Sequence, residues 1–151
     1  MAKYTKPENP FILKMTRDFE APVERVFDVW LDPSHIAEWL FATPDGDIKE
    51  AEMDGKVGGG FIVAEQRGDE LARHIGTFIE LDRPNKIVFS FLYEAAEASL
   101  SSLVTVDLIA KEKGCTLNLT HEMDNQYSEY EASAIEGWNT ILQNFSKVVL
   151  K

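Results

Sequence analysis

The chain has a single cysteine, Cys115, so no disulfide can form within it. A small scaffold stapled by bridges is therefore excluded. On the inward face of its strand, Cys115 reads as a small buried hydrophobe. No apolar run is long enough to span a bilayer as a helix, and the opening MAKYTKPENP has no apolar signal core. Asn118-Leu119-Thr120 matches the glycosylation pattern, but without a secretory signal the match has no consequence. These absences predict a cytoplasmic protein with no membrane partner. Positive charge is also short, since 15 Lys and Arg face 26 Asp and Glu, for a formal net charge of −11. A field of that sign repels phosphate backbones, so no nucleic-acid partner is expected.

Chemistry-bearing motifs are missing as well. Gly58-Gly59-Gly60 lacks the Lys-Ser/Thr ending and the strand–loop–helix setting of a phosphate loop. His35, His74 and His121 contain no HxH or HxxxH pair, so no metal is expected. No serine sits in a nucleophile elbow, and the acidic residues form no clean acid/base pair. No catalytic residue and no cofactor is assigned. Internal repeats and low-complexity segments are absent.

What is present suffices for one core. A chain of 151 residues buries about two thirds of the surface its unfolded form exposes. Residues 1–11 are read as a flexible arm and residues 12–151 as one domain. FILKMTRDF, 11–19, alternates as a first strand. Val23, Phe27 and Trp30 then fall on one helical face. Asp32 is placed to cap a second short helix whose stripe is Ile36, Trp39 and Leu40. Thr43-Pro44-Asp45-Gly46 is a turn. Strands follow over 47–53, after the glycine run, and over 71–81, 86–93 and 104–109, with Gly58–Gly60 read as a bulge or sharp bend. EAAEASLSS, 94–102, is a loop or a sheet rim.

TLNLTHEM, 116–123, puts Leu117, Leu119, His121 and Met123 on one face and polar residues on the other. His121 is then either a buried histidine satisfied by protein or one that meets a ligand, because an unsatisfied buried polar group costs about 1–3 kcal/mol. Glu52, on the strand before the glycines, is a further pocket candidate. The last helix is expected from Ser128, with Ser128 and Glu131 as a capping box and a length of about 34 Å. Its stripe runs through Ile135, Trp138, Leu142, Phe145 and Val149. Strands followed by one long covering helix make an α+β fold with an antiparallel sheet.

Five stretches carry a resemblance: DFEAPVERVFDVWLDPSHIAEWL at 18–40, HIGTFIELDRPNKIVFSF at 74–91, SLVTVDL at 102–108, TLNLTHEM, and EGWNTILQNF at 136–145. Through them the chain resembles the START-like helix-grip (SRPBCC) superfamily, and within it the family similar to activator of Hsp90 ATPase homologue 1. The resemblance implies a strongly bent antiparallel sheet of seven strands wrapped around the C-terminal helix, with two short helices closing one end. It implies an apolar cavity between sheet and helix that binds a small hydrophobic molecule non-covalently. Trp39 and Phe41 would stand at its mouth. Phe61, His74 and Phe89 would line it from the sheet, and Trp138, Ile141, Leu142 and Phe145 from the helix. His121, His74 or a tyrosine would orient the polar end of the ligand. Two alternatives stay open: an enzyme of cyclase, dehydratase or hydrolase type using the same pocket, or a stress-related, co-chaperone-like interaction domain or homodimer. The long N-terminal domain of the full activator, which supplies much of its chaperone contact, has no counterpart in the sequence.

Overall fold

A computed structural model describes residues 10–94 and 102–150. Most of the expected arm, and all of the 94–102 segment except its two end residues, lie outside the described residues. Seven strands are present: β1 (Pro10–Phe19), β2 (Asp47–Met53), β3 (Gly60–Arg67), β4 (Glu70–Asp82), β5 (Lys86–Tyr93), β6 (Ser102–Lys111) and β7 (Gly114–Asp124). The helices are α1 (Val23–Trp30), α2 (Ile36–Trp39) and α3 (Glu131–Val149).

The sheet order is β1-β7-β6-β5-β4-β3-β2, antiparallel throughout. Strands β2 to β7 pair with their sequence neighbours, as short connections favour. Strand β1 instead pairs with β7, so α1 and α2 carry the chain from one sheet edge to the other. Register shifts at Ile48/Glu50 and Phe78/Glu80 add local twist and help the sheet curl. The glycine run itself is a turn: Gly58 has φ +86°, its N–H donates to Phe78, and the Phe78 N–H donates to Gly59. The bulge expected there falls on β4, opposite.

Alternation decides the inner face. In β7 every second residue from Cys115 to Met123 is buried. Helix α3 lies across that face and buries Trp138, Ile141, Leu142, Phe145, Val148 and Val149. Helix α1 adds Val26 and Trp30, and α2 adds Ile36 and Trp39. At this end the aromatic rings meet directly. Trp30 and Trp39 are 4.7 Å apart between centroids, Trp39 and Phe145 4.7 Å, and Trp30 and Phe145 5.1 Å.

Two expectations about helix starts are corrected. Residues Asn125–Tyr130 form a 3-10 turn, and α3 begins at Glu131 with no side-chain cap. A preceding helical turn supplies carbonyls to the first N–H groups, so the Ser128/Glu131 capping box is not needed. The 19 residues of α3 span about 28 Å rather than 34 Å. Asp32 accepts hydrogen bonds from the Ser34 N–H (2.9 Å) and hydroxyl (2.7 Å), closing a turn ahead of α2 instead of capping it. Among the described residues, no helix is long and apolar enough to cross a membrane.

Candidate functional site

Away from the packed aromatic end, sheet and helix separate. A cavity of about 490 Å³, open to solvent, lies between β4, β5 and β7 on one side and α3 on the other. The loop after α2 forms its third wall. Each strand contributes through its alternation: β4 presents His74, β5 presents Phe91, and β7 presents His121. Helix α3 contributes Ala134, Trp138 and Ile141 at helical spacing, and Gly137 leaves the wall low between them.

His121 is satisfied on both sides. The Trp138 indole N–H donates to its Nδ1 at 3.1 Å. An indole N–H is a donor only, so Nδ1 must carry a lone pair and the ring proton sits on Nε2. That Nε2–H donates to the Ser102 hydroxyl at 2.8 Å. Burial pushes the pKa of His121 down to about 4. The ring is therefore neutral at physiological pH, and it meets Trp138 edge to face at 5.8 Å.

His74 is held differently. Its ring stacks on Phe41 at 3.9 Å and 3°, and on Tyr93 at 5.0 Å. Its buried Nδ1 has no hydrogen-bond partner among the described residues. Burial, and then the positive charge of Arg67, push its pKa down to about 3. Two neutral imidazoles thus join the aromatic walls made by Phe41, Phe91 and Trp138.

The loop wall is braced by charge. Phe41 has φ +54°, a left-handed conformation uncommon for a bulky residue. Side chains of β3 and α3 fix it there. Arg67 Nη2 donates to the Phe41 carbonyl at 3.0 Å, and Asn144 Nδ2 donates to the Ala42 carbonyl at 3.1 Å. The Thr43 N–H and hydroxyl donate to the Glu65 carboxylate at 2.7 and 2.9 Å. Arg67 Nε donates to the same carboxylate at 2.6 Å. Glu65 is 1% exposed, and its three donors repay the cost of burying a charge. Gly46 makes room for it, because a Cβ there would fall 2.0 Å from the carboxyl carbon.

The structure brings Phe41, His74, His121, Trp138 and Ile141 together around the cavity. It does not bring the other sequence candidates to it. Trp39 and Phe145 pack with Trp30, and Trp39 is fully buried rather than at a mouth. Phe61 and Phe89 pack on Phe78 and on each other, and Leu142 is in the same core. Glu52 is corrected outright as a pocket residue. It is exposed, because β2 turns Ala51 and Met53 toward the core and leaves Glu52 on the outer face.

Sequence reasoning missed Phe91, Arg67 and Glu65. Phe91 shares its face with Ile87 and Phe89 by simple alternation. Phe61, Val63, Glu65 and Arg67 likewise continue one face of β3, so an acid and a base two residues apart were aimed inward. Among the described residues, no three His, Cys, Asp or Glu side chains are disposed to hold a metal ion.

Comparison with known proteins gives the same architecture. Protein SA2116 of Staphylococcus aureus superposes with a TM-score of 0.79 at 14% identity, over 93% of this chain and 94% of that one. An AHSA1-like protein of Aeromonas hydrophila superposes with a TM-score of 0.74 at 25% identity, over 92% of each chain. DynU16, from the dynemicin biosynthetic locus, superposes with a TM-score of 0.71 at 16% identity, over 93% of this chain and 47% of that one. No curated protein is significantly similar. Residues 20–149 match the family described as Activator of Hsp90 ATPase homolog 1-like protein, and the chain belongs to that family.

Proposed function

We propose that the protein binds a small hydrophobic molecule non-covalently between the sheet and α3. One observation carries this reading: a cavity of about 490 Å³ with aromatic walls stays open beside a core whose other rings are in contact. Ligand pockets have about this size and lining. Each Å² of apolar surface removed from water contributes roughly 25 cal/mol, so a flat ring system gains most from these walls. The family fold, one that holds small hydrophobic ligands, supports the same reading. His121 and His74 are pushed to about 4 and about 3, which makes them weak bases and favours binding over proton transfer. The cavity likewise supports a small ligand over chaperone contact or self-association.

The neutral probe N-phenyl-1-naphthylamine tests this. We expect saturable binding at one site per chain. Ala134→Trp, which fills the opening from the half-buried wall of α3, should weaken binding at least tenfold with the urea midpoint preserved. Undiminished binding by that variant would remove the cavity from the account.

A further inference from the structure

Arg67 is the one cation among the described residues that line the cavity. Its guanidinium has five N–H donors in a fixed fork. Two are used, one from Nε to Glu65 and one from Nη2 to the Phe41 carbonyl. The other three have no partner among the described residues. The ion pair is also lopsided. Glu65 is 1% exposed and already accepts three hydrogen bonds, whereas the Arg67 side chain is 36% exposed. A group coming in through the opening therefore meets the cation and not the carboxylate behind it. The brace through the Phe41 carbonyl and the Glu65 carboxylate holds the fork in place beforehand, so little side-chain freedom is lost on contact.

We infer that the pocket takes a flat apolar acid, its rings lying among Phe41, Phe91 and Trp138 and its carboxylate received by the free N–H groups of Arg67. This rests on the binding function proposed above and names the chemical class of its ligand. A planar fork matches a planar carboxylate, which a point charge would not distinguish from other anions. The net charge of −11 repels an acid at a distance. Salt screens that repulsion beyond about 8 Å, while the Arg67 contact is made at hydrogen-bond range. Glu136, exposed and lining the same opening, is a like charge to the ligand and serves as an internal control.

Calorimetric titration with 2-naphthoic acid and with 2-naphthamide at pH 7 tests the inference, since the two share a ring system and differ in head group. The acid should bind at least about tenfold more tightly, as charge-assisted hydrogen bonds warrant. Arg67→Gln should shrink that preference to less than about threefold while the amide still binds. Glu136→Gln should strengthen the acid about two- to fivefold and leave the amide unchanged. Equal affinity of acid and amide for the unaltered protein would overturn the inference and leave the binding function standing. Failure of both to bind would overturn the two together. Should Arg67→Gln not fold, Glu136→Gln decides, and unchanged acid affinity in it counts against the inference.

Discussion

Acidification should weaken this fold over a pH range set by its two buried histidines. His121 and His74 have ordinary values of 6.5 and are held at about 4 and about 3 in the folded protein. Above pH 6.5 both are neutral folded and unfolded, so they contribute no pH dependence. Below 6.5 the unfolded chain takes up protons that the folded chain refuses. Stability therefore falls as the pH drops, and the loss levels off once the pH passes the folded values. Each pH unit in that window costs about 1.4 kcal/mol per histidine. Between pH 6.5 and 4.5 the pair loses on the order of 5 kcal/mol, less what solvent screens at the more accessible His74. That is a large share of the roughly 5–15 kcal/mol that holds a domain together. The sign has a structural cause: a proton on His121 Nδ1 would point at the Trp138 N–H that now donates to it.

Three aspartates act below that window. Asp18, Asp28 and Asp32 are held below their ordinary 3.8, mainly by hydrogen bonds from Thr116, Arg83 and Ser34. What they contribute is present above 3.8 and is lost only as the pH falls through their folded values. Urea unfolding at pH 7 and pH 4.5, followed by tryptophan fluorescence, should show a much lower midpoint at pH 4.5. The double variant His74→Phe/His121→Asn should lose far less between the same two pH values, whatever its starting stability. An equal midpoint at both pH values in the unaltered protein would refute the reasoning, as would a double variant that keeps the full pH dependence.

Three further outcomes follow from the same contacts. Trp138→Phe keeps the ring but removes the donor to His121, and should cost about 1–3 kcal/mol in urea unfolding. Gly46→Ala drives a Cβ against the Glu65 carboxyl group and should cost about 1–3 kcal/mol, read as a fall in Tm with the loop from Phe41 to Thr43 displaced. Phe145→Ala removes a fully buried ring that touches Trp30, Trp39 and Phe19, and should cost about 3–5 kcal/mol by chemical denaturation.

The sheet and its covering helix were legible because both depend on periodicity. The alternation of TLNLTHEM and the 138–141–142–145 stripe each name a face, and burial follows the face. The pocket was only half legible because periodicity says nothing about depth along a sheet. Phe89 and Phe91 share a face and a chemistry, yet Phe89 enters the packed core and Phe91 lines the cavity. Trp39 and Phe41 are two residues apart, and a single left-handed residue sends them to different places. Helix starts were misplaced for another reason. A capping box is a local signal, and a 3-10 turn that satisfies the same N–H groups leaves no trace in residue type. Arg67 and Glu65 were readable by alternation, but inward charges contradict the expectation of an apolar face until their partners are known.

The most direct test of ligand binding observes the three indole N–H groups by nitrogen-15 NMR during titration with N-phenyl-1-naphthylamine. Trp138 lines the cavity, whereas Trp30 and Trp39 lie in the packed core. Binding in the cavity predicts that the Trp138 signal, assigned by its loss in Trp138→Phe, moves to saturation while the Trp30 and Trp39 signals stay in place. A Trp138 signal that does not move at saturating probe, or one that moves only together with the other two, would contradict it.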